Sequence, residues 1–490
     1  MKNITDLAKK ELFVFSIIFV FAVVGMFAKL GEDDLPPLGS AQHAAVSREI
    51  YRTGQWFTLR WPHCETFNVF FQHPPLFFCL NAISFRLFGE TDFAAKFVSA
   101  LFGVGVILLT YYLGKLLLNK QVGFISAMVI ILTPLFFKHS RKCELESILI
   151  FFITLAFIFF MLAKKNNEKY YIFVGLATGL GFLSKGPPAL VTYGAIFIYL
   201  ALTKRWRIFI NKYFLFGILV SVITPLVLWI IPEILSGEDM YKKYFINQIL
   251  WSIKGRNLPL ATLGDRLKNY FYFLPVFFTY YLPWNIVGIF GIYRFIKEKR
   301  VELYLLICWS AVVWLGFTIA GWKDNYYLLA FWPGWAVLCG YILDKWFSLR
   351  QKEIIVLGSV FLLIVFILVL AFTPAKLGKS RNPEFRILSP YIKTIVPENE
   401  KIIIYKLYYW DMISLFSWYI DRSTTHTIEN ADELKKIFFT KDKKFLFIQA
   451  TELNNLPTDI KNKIYPLYIC GKFTFTSNKK LQEPNLLKCN

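Results

Sequence analysis

Charged side chains are scarce in this sequence, and their signs are unequal. Asp, Glu, Lys and Arg make up 18% of its 490 residues, 33 acids against 55 bases, where a soluble chain carries about a quarter. That deficit excludes an ordinary cytosolic protein and a disordered tail. Five histidines and seven cysteines, none at metal-ligand spacing, give no basis for a zinc module or a disulfide-built secreted scaffold. There is no repeat of fixed period. No small-residue cleavage site follows the first apolar run behind Lys2, Lys9 and Lys10, so that run reads as a retained helix rather than a signal peptide.

What the chain has in abundance is hydrocarbon. Hydrophobic residues reach 56% and the mean hydropathy is +0.47. The apolar residues come in runs of about 20, the length that spans a bilayer core, so a polytopic α-helical membrane protein is expected. The short connections 114–120, 164–169, 204–207, 297–300 and 345–352 carry Lys or Arg and are assigned to the cytoplasm. About eleven passes follow, with thirteen as the upper bound: 11–30, 93–118, 121–138, 146–163, 169–184, 187–203, 212–231, 270–294, 302–320, 326–344 and 354–373. The net charge of +22 then belongs to cytoplasmic loops and lipid phosphates, not to nucleic-acid binding.

One apolar stretch, Leu76–Phe88, is too short for a comfortable pass, and counting it would put Lys115 and Lys120 outside. It is expected to be an interfacial or re-entrant helix within a first outer loop at 31–92. A loop that long is uncommon without a function. Residues 1–373 are expected to form the membrane domain. The polar, Lys-rich stretch 374–490 has strand-length apolar runs at 401–406 and 444–449, and is expected to be a small extracytoplasmic α/β domain. Cys470 and Cys489 fall within it, and spacing alone does not decide whether they pair.

Several constellations bear chemistry. Glu32, Asp33 and Asp34 follow the first pass, either as solvated loop acids or as a general base held near the interface. Residues 41–50 have helical spacing, and 53–56 stop them with Gly54 and an interfacial Trp56. His73 stands before Pro74 and Pro75, at the start of the short apolar helix, a surface residue or a partner for an anionic headgroup. His139, Arg141, Glu144 and Glu146 gather where a pass meets the outer surface, as a salt bridge or as groups that orient a sugar. Lys185 precedes Gly186 and Pro187 at a break between two passes, where a cation snorkels to lipid or serves a ligand. The outward stretch 237–265 holds Lys242, Lys243, Lys254 and Arg256, against the positive-inside bias. A phosphate headgroup would stabilise them. Lys323 lies in a later outer loop and is either paired with Asp324 or another such cation.

In this order the motifs resemble a known family. Residues 47–50 (SREI), 53–56 (TGQW), 73–76 (HPPL), 85–89 (FRLFG), 94–103 (AAKFVSALFG), Ser140-Arg141 with Glu144 and Glu146, 179–187 (GLGFLSKGP), 282–284 (LPW), 323–327 and 332–334 (WPG) are similar to the protein mannosyltransferase and aminoarabinose transferase group. The resemblance spans residues 1 to about 345. It implies a GT-C fold and transfer of a sugar from a polyprenyl phosphate, and the family acid near the second outer loop matches Glu146. Two positions depart from the pattern. Gly39 and Ser40 stand where the family usually carries Asp-Glu, and His73 stands where the aminoarabinose branch often has Lys.

The expected reaction is an inverting transfer at the outer face of a cytoplasmic membrane, to lipid A, protein or a glycan. Asp34, then Asp33, is expected to act as base, with Glu146 and Glu49 next in line. Lys185, Arg256, Lys323, Lys243 and His73 are expected to hold the donor phosphate, and Glu144, Arg141 and Glu49 to orient sugar or acceptor. No metal or cofactor is required by this chemistry. The alternatives are a lipid-linked sugar flippase and a catalytically silent relative that binds the lipid sugar.

Overall fold

The computed structural model describes residues 2–66, 68–237, 239–250, 252, 263–298, 301–372, 382–481 and 487–489. Its first ten α-helices are α1 (Lys2–Phe27), α2 (Ser40–Thr53), α3 (Leu76–Phe88), α4 (Asp92–Leu117), α5 (Lys120–Ile131), α6 (Pro134–Ser140), α7 (Glu146–Lys165), α8 (Tyr170–Lys185), α9 (Val191–Leu202) and α10 (Lys212–Pro225). Among the described residues, five helical stretches are long and apolar enough to cross a membrane, or up to seven if two bent pairs each count as one span. Each of the eleven expected passes coincides with a helix or a bent pair. Several, such as Leu12–Phe27, Pro187–Leu202 and Leu303–Ile319, run only 10–17 residues, below the ~20 that a straight span requires. Length and composition alone therefore do not reach the expected count. Leu76–Phe88 is a helix of 13 residues.

The local geometry follows from the sequence. The axes of α5 and α6 differ by 69° because Pro134, at the first turn of α6, lacks an N–H and holds Thr133 extended at φ −91, ψ 106. A Cβ on Gly175 of α8 would overlap the carbonyl of Gly217 on α10, so only glycine lets these two backbones touch.

The chain forms two compact units, Met1–Leu30 with Phe71–Leu80 and Lys96–Leu377, and Gly31–Phe70 with Asn81–Ala95 and Gly378–Asn490. The first is helical. The second departs from a simple boundary at 373, because the outer loop folds with the tail. Its sheet has strands β1 (Ile402–Tyr405), β2 (Thr424–Ile428), β3 (Phe445–Gln449), β4 (Tyr465–Cys470), β5 (Phe473–Ser477) and β6 (Leu487–Cys489) in the order β2-β1-β3-β5-β4-β6. β1 lies parallel to β2 and β3, while β5 is antiparallel to β3 and β4. β4 and β6 set positions 470 and 489 opposite each other. All four β1 residues are buried, as expected for a strand covered on both faces. Ile403, Tyr405, Leu446 and Ile448 pack with Leu434, Phe438 and Ile460. On the other face Phe447 and Phe473 stack with Phe385 and Phe416.

Charge fastens the loop to the tail within this unit. Arg48 of α2 donates to Asp421 Oδ1 at 2.8 Å, to the carbonyl of Trp418 at 2.8 Å and to that of Ser417, and its guanidinium lies over the Trp418 ring. Arg52 bridges Asp421 Oδ2 (2.8 Å) and Glu90 (2.7 and 2.8 Å), and His63 Nε2 lies 3.0 Å from Asp421 Oδ1. Asp92 accepts the indole N–H of Trp418 and the hydroxyl of Tyr419, which in turn accepts the N–H of Leu35. Burial opposes ionisation of Asp421, but the hydrogen bond from His63 and the Arg48 and Arg52 charges outweigh it and hold the carboxyl well below its ordinary range.

Because the folded carboxyl titrates below the unfolded one, its stabilisation is complete above the unfolded value of about 3.9 and is lost as pH falls through the folded value. Asp421→Asn leaves the buried Arg48 with only Glu90, at 3.9 Å, as counter-ion, and breaking a buried pair typically costs up to about 3 to 5 kcal/mol. Thermal unfolding of the purified protein should show that loss at neutral pH and a weaker acid dependence in the variant. Equal melting of variant and wild type would mean that the ion cluster carries no stability.

Candidate functional site

Two helix ends meet in the first unit. α7 begins at Glu146 with no side-chain cap, and α8 ends at Lys185. A carboxylate suits the positive end of a helix and an ammonium the negative end. The two side chains form an ion pair, 9% and 14% exposed. Lys185 Nζ also lies 5.3 Å from the ring centroids of both Tyr326 and Tyr327, within cation–π range.

Behind Tyr326 is a second cluster. Its ring packs on His139 at 4.5 Å, and His139 Nδ1 lies 2.5 Å from Glu144 Oε2, whose Oε1 accepts from Lys142 at 3.1 Å. Ser99 of α4 donates to the Glu144 carbonyl and accepts its N–H. Burial works against the Glu144 anion, but the charge of His139 and its hydrogen bond, with Lys142 behind them, hold the carboxyl well below the usual range.

A cavity of about 300 Å³ opens beside Lys185, lined by Gln72, His73, Pro187, Tyr244, Gln248, Trp322 and Tyr327 among apolar side chains. Its wall depends on Gly186, which adopts φ +86. A Cβ there would overlap the Tyr244 hydroxyl, which approaches the Lys185 carbonyl at 3.5 Å.

The expected site residues are distributed as follows. Glu146, Lys185 and His73 come together at or beside this cavity. Arg141 donates to the carbonyls of Gly25, Met26 and Ala28 at 2.7 to 3.0 Å, closing the C-terminal end of α1. Glu144 is engaged by His139 and Lys142. Lys323 donates to Asn269 Oδ1 at 3.0 Å and to the Ala320 carbonyl, and burial lowers its pKa. Lys243 is exposed at the end of the short helix Met240–Lys243, and Arg256 lies outside the described residues. In the second unit, Asp34 is 2% exposed and its Oδ2 accepts the Asn382 N–H at 2.7 Å. Asp33 belongs to the same loop, and Glu49 is half-buried on α2, which begins with no acid in its first turn. Sequence reading included Tyr326 and Tyr327 in the motif 323–327 without giving them a role, and did not single out Tyr244, which resembles an interfacial aromatic. Their one signal is the polar loop 323–325 immediately before the tyrosine pair.

Comparison with known proteins places the chain in context. Residues 72–230 match the model of the dolichyl-phosphate-mannose-protein mannosyltransferase family. An uncharacterized protein of Aquifex aeolicus (strain VF5) is 25% identical over 298 residues, 60% of this chain and 57% of its own length. An undecaprenyl phosphate-alpha-4-amino-4-deoxy-L-arabinose arabinosyl transferase 2 of Proteus mirabilis (strain HI4320) is 26% identical over 300 residues, 59% of this chain and 52% of that one. The matches thus span little more than half the length of these relatives. Among solved structures, ArnT from Cupriavidus metallidurans bound to undecaprenyl phosphate superposes with TM-score 0.73 at 14% identity, over 95% of this chain and 98% of that one. An Archaeoglobus fulgidus oligosaccharyltransferase in complex with Zn and sulfate gives 0.57 at 16% identity, over 90% and 68%. At such identities the superpositions establish the fold, an integral membrane architecture.

Gly186→Ala tests the cavity wall. It forces a side chain into a glycine-only conformation, a strain of about 1 to 3 kcal/mol, and drives a methyl into Tyr244. The detergent-purified variant should melt earlier than wild type. Unchanged melting would show that the wall yields freely.

Proposed function

We infer that this chain, a GT-C protein of the protein mannosyltransferase and aminoarabinose transferase group, transfers a monosaccharide from a polyprenyl phosphate to an acceptor at the outer face of a cytoplasmic membrane. The observation that carries this reading is the cavity beside Lys185, where an ammonium backed by two tyrosine faces stands at a helix break among apolar walls. A phosphate on an isoprenoid tail has the matching chemistry, an anion joined to hydrocarbon. Lys185 holds the phosphate, with His73 on the same cavity and Lys323, Lys243 and Arg256 as further cations. The topology that suits this reading has eleven passes, with the short helices tilted or extended by neighbouring turns and the tail outside.

In the reaction, an acceptor hydroxyl gives its proton to a carboxylate and attacks the anomeric carbon. The new C–O bond forms as the bond to the phosphate oxygen breaks, and the polyprenyl phosphate leaves with the electron pair. The leaving group is already an anion, so no protonating acid and no metal are needed. Cations that face it stabilise charge that develops in the transition state. Asp34 and Asp33 in the outer loop and Glu146 beside Lys185 are the candidate bases. Glu144, Arg141 and Glu49 are candidates to orient the sugar or a lipid, protein or glycan acceptor. One observation favours a silent, lipid-sugar-binding relative instead: α2 starts at Gly39 and Ser40 without an acid.

The test is transfer from a polyprenyl-phosphate sugar by the purified protein, with products identified by mass analysis of lipids, glycans and proteins. Lys185→Ala should lower donor use roughly 10 to 150-fold, the worth of a charged hydrogen bond of about 1.5 to 3 kcal/mol. Asp34→Asn, Asp33→Asn or Glu146→Gln should reduce rate by about 10² to 10⁴ at whichever carboxylate is the base. Wild-type protein that binds the donor but never turns it over would establish the silent relative.

A further inference from the structure

Lys185 enters the proposed reaction already neutralised. Its ammonium is paired with Glu146, and the pair is largely shielded from solvent. An arriving phosphate must therefore share the ammonium with Glu146 or displace it. Lys185 lines the cavity while Glu146 is absent from its lining, so the cavity presents the lysine, and not its resting partner, to an anion.

The geometry points to an exchange of partners: we propose that donor binding moves Lys185 from Glu146 to the phosphate, and that Glu146 is thereby released as a carboxylate only while the donor is bound. This rests on the polyprenyl-phosphate reading of the cavity.

Each ion has a second support that survives the exchange. Glu146 is the first residue of α7, whose N-terminal N–H groups have no side-chain cap, and a helix start of 20 residues favours an anion there. Lys185 is the last residue of α8 and keeps the two tyrosine faces at 5.3 Å. Tyr326 is braced from behind by His139, itself bonded to Glu144, so the rings stay in place when the carboxylate leaves. An ion pair with no such supports would leave a buried, uncompensated charge behind on separation. Here both partners retain favourable surroundings, and the exchange is electrostatically feasible.

The consequence has an unusual sign. A carboxylate that merely holds the site together should, when removed, weaken anion binding. A carboxylate that competes for the lysine should, when removed, strengthen it. Binding of undecaprenyl phosphate to the full-length protein in lipid nanodiscs distinguishes the two. Glu146→Gln should bind about tenfold tighter or more, with kcat lowered, and the gain should vanish in the Lys185→Ala, Glu146→Gln double variant because there is no ammonium left to compete for. Thermal unfolding and the helical far-UV signal of each variant establish that it is folded. Folded Glu146→Gln that binds equally or more weakly overturns the exchange while leaving the cavity reading intact. A tightening that persists without Lys185 also overturns it. Wild-type protein that binds no polyprenyl phosphate at all defeats the cavity reading itself.

Discussion

An ammonium group at the end of an apolar helix has to be given an anion or the face of an aromatic ring, because hydrocarbon supplies neither hydrogen bonds nor dielectric screening. Lys185 receives both, and the surrounding architecture is organised around that requirement. α7 must start where α8 stops so that Glu146 meets Lys185. The 324–327 turn must bring two tyrosines over the nitrogen. Gly186 must turn the chain away at once, leaving room for Tyr244. The neighbouring connection between α6 and α7 solves a similar problem for Glu144 by surrounding it with His139, Lys142 and Ser99.

The second unit applies the same rule on a wetter surface. Arg48 and Arg52 project from one helix of the outer loop, and Asp421 and Glu90 answer them. The centre of the sheet needs no charge, since β1, β3 and β5 are almost wholly buried. Polar contacts therefore decide which segment docks, and apolar burial supplies the bulk of the stabilisation.

These two arrangements differ in how far they could be read from residue order. Hydropathy located the apolar helices, the long loop and the runs that become β1 and β3, because those signals are local, but it did not mark β2, β4, β5 or β6. It also drew attention to Lys185, since a cation beside Gly and Pro between two apolar runs is conspicuous, and to Glu146 as an acid at a pass boundary. It did not reveal that the two are partners, because they stand 39 residues apart and charge alone does not name its counter-ion. For the same reason the partner of Asp34 was hidden: in the fold its carboxylate holds the N–H of a residue 348 positions later. Nor did residue order show that the Arg141 guanidinium closes the carbonyls of α1. Backbone acceptors leave no trace in side-chain spacing. The pass count was harder still, because several helices stop at a Pro or a turn before reaching the length of a straight span.

The pairing of Arg48 with Asp421, 373 positions apart, bears on how the chain is made. The segment 31–70 leaves the ribosome well before its acidic partner. At about 5 to 20 residues per second, roughly 20 to 75 s separate the two. Throughout that interval α2 carries two guanidinium groups and an inner face of mixed small, apolar and polar residues without the partner that covers it in the fold. Biogenesis of this protein therefore has a waiting state, in which the helices of the first unit are already made while the segment 31–70 still lacks its partner. Chains that terminate before Asp421 would leave Arg48 without that partner for good.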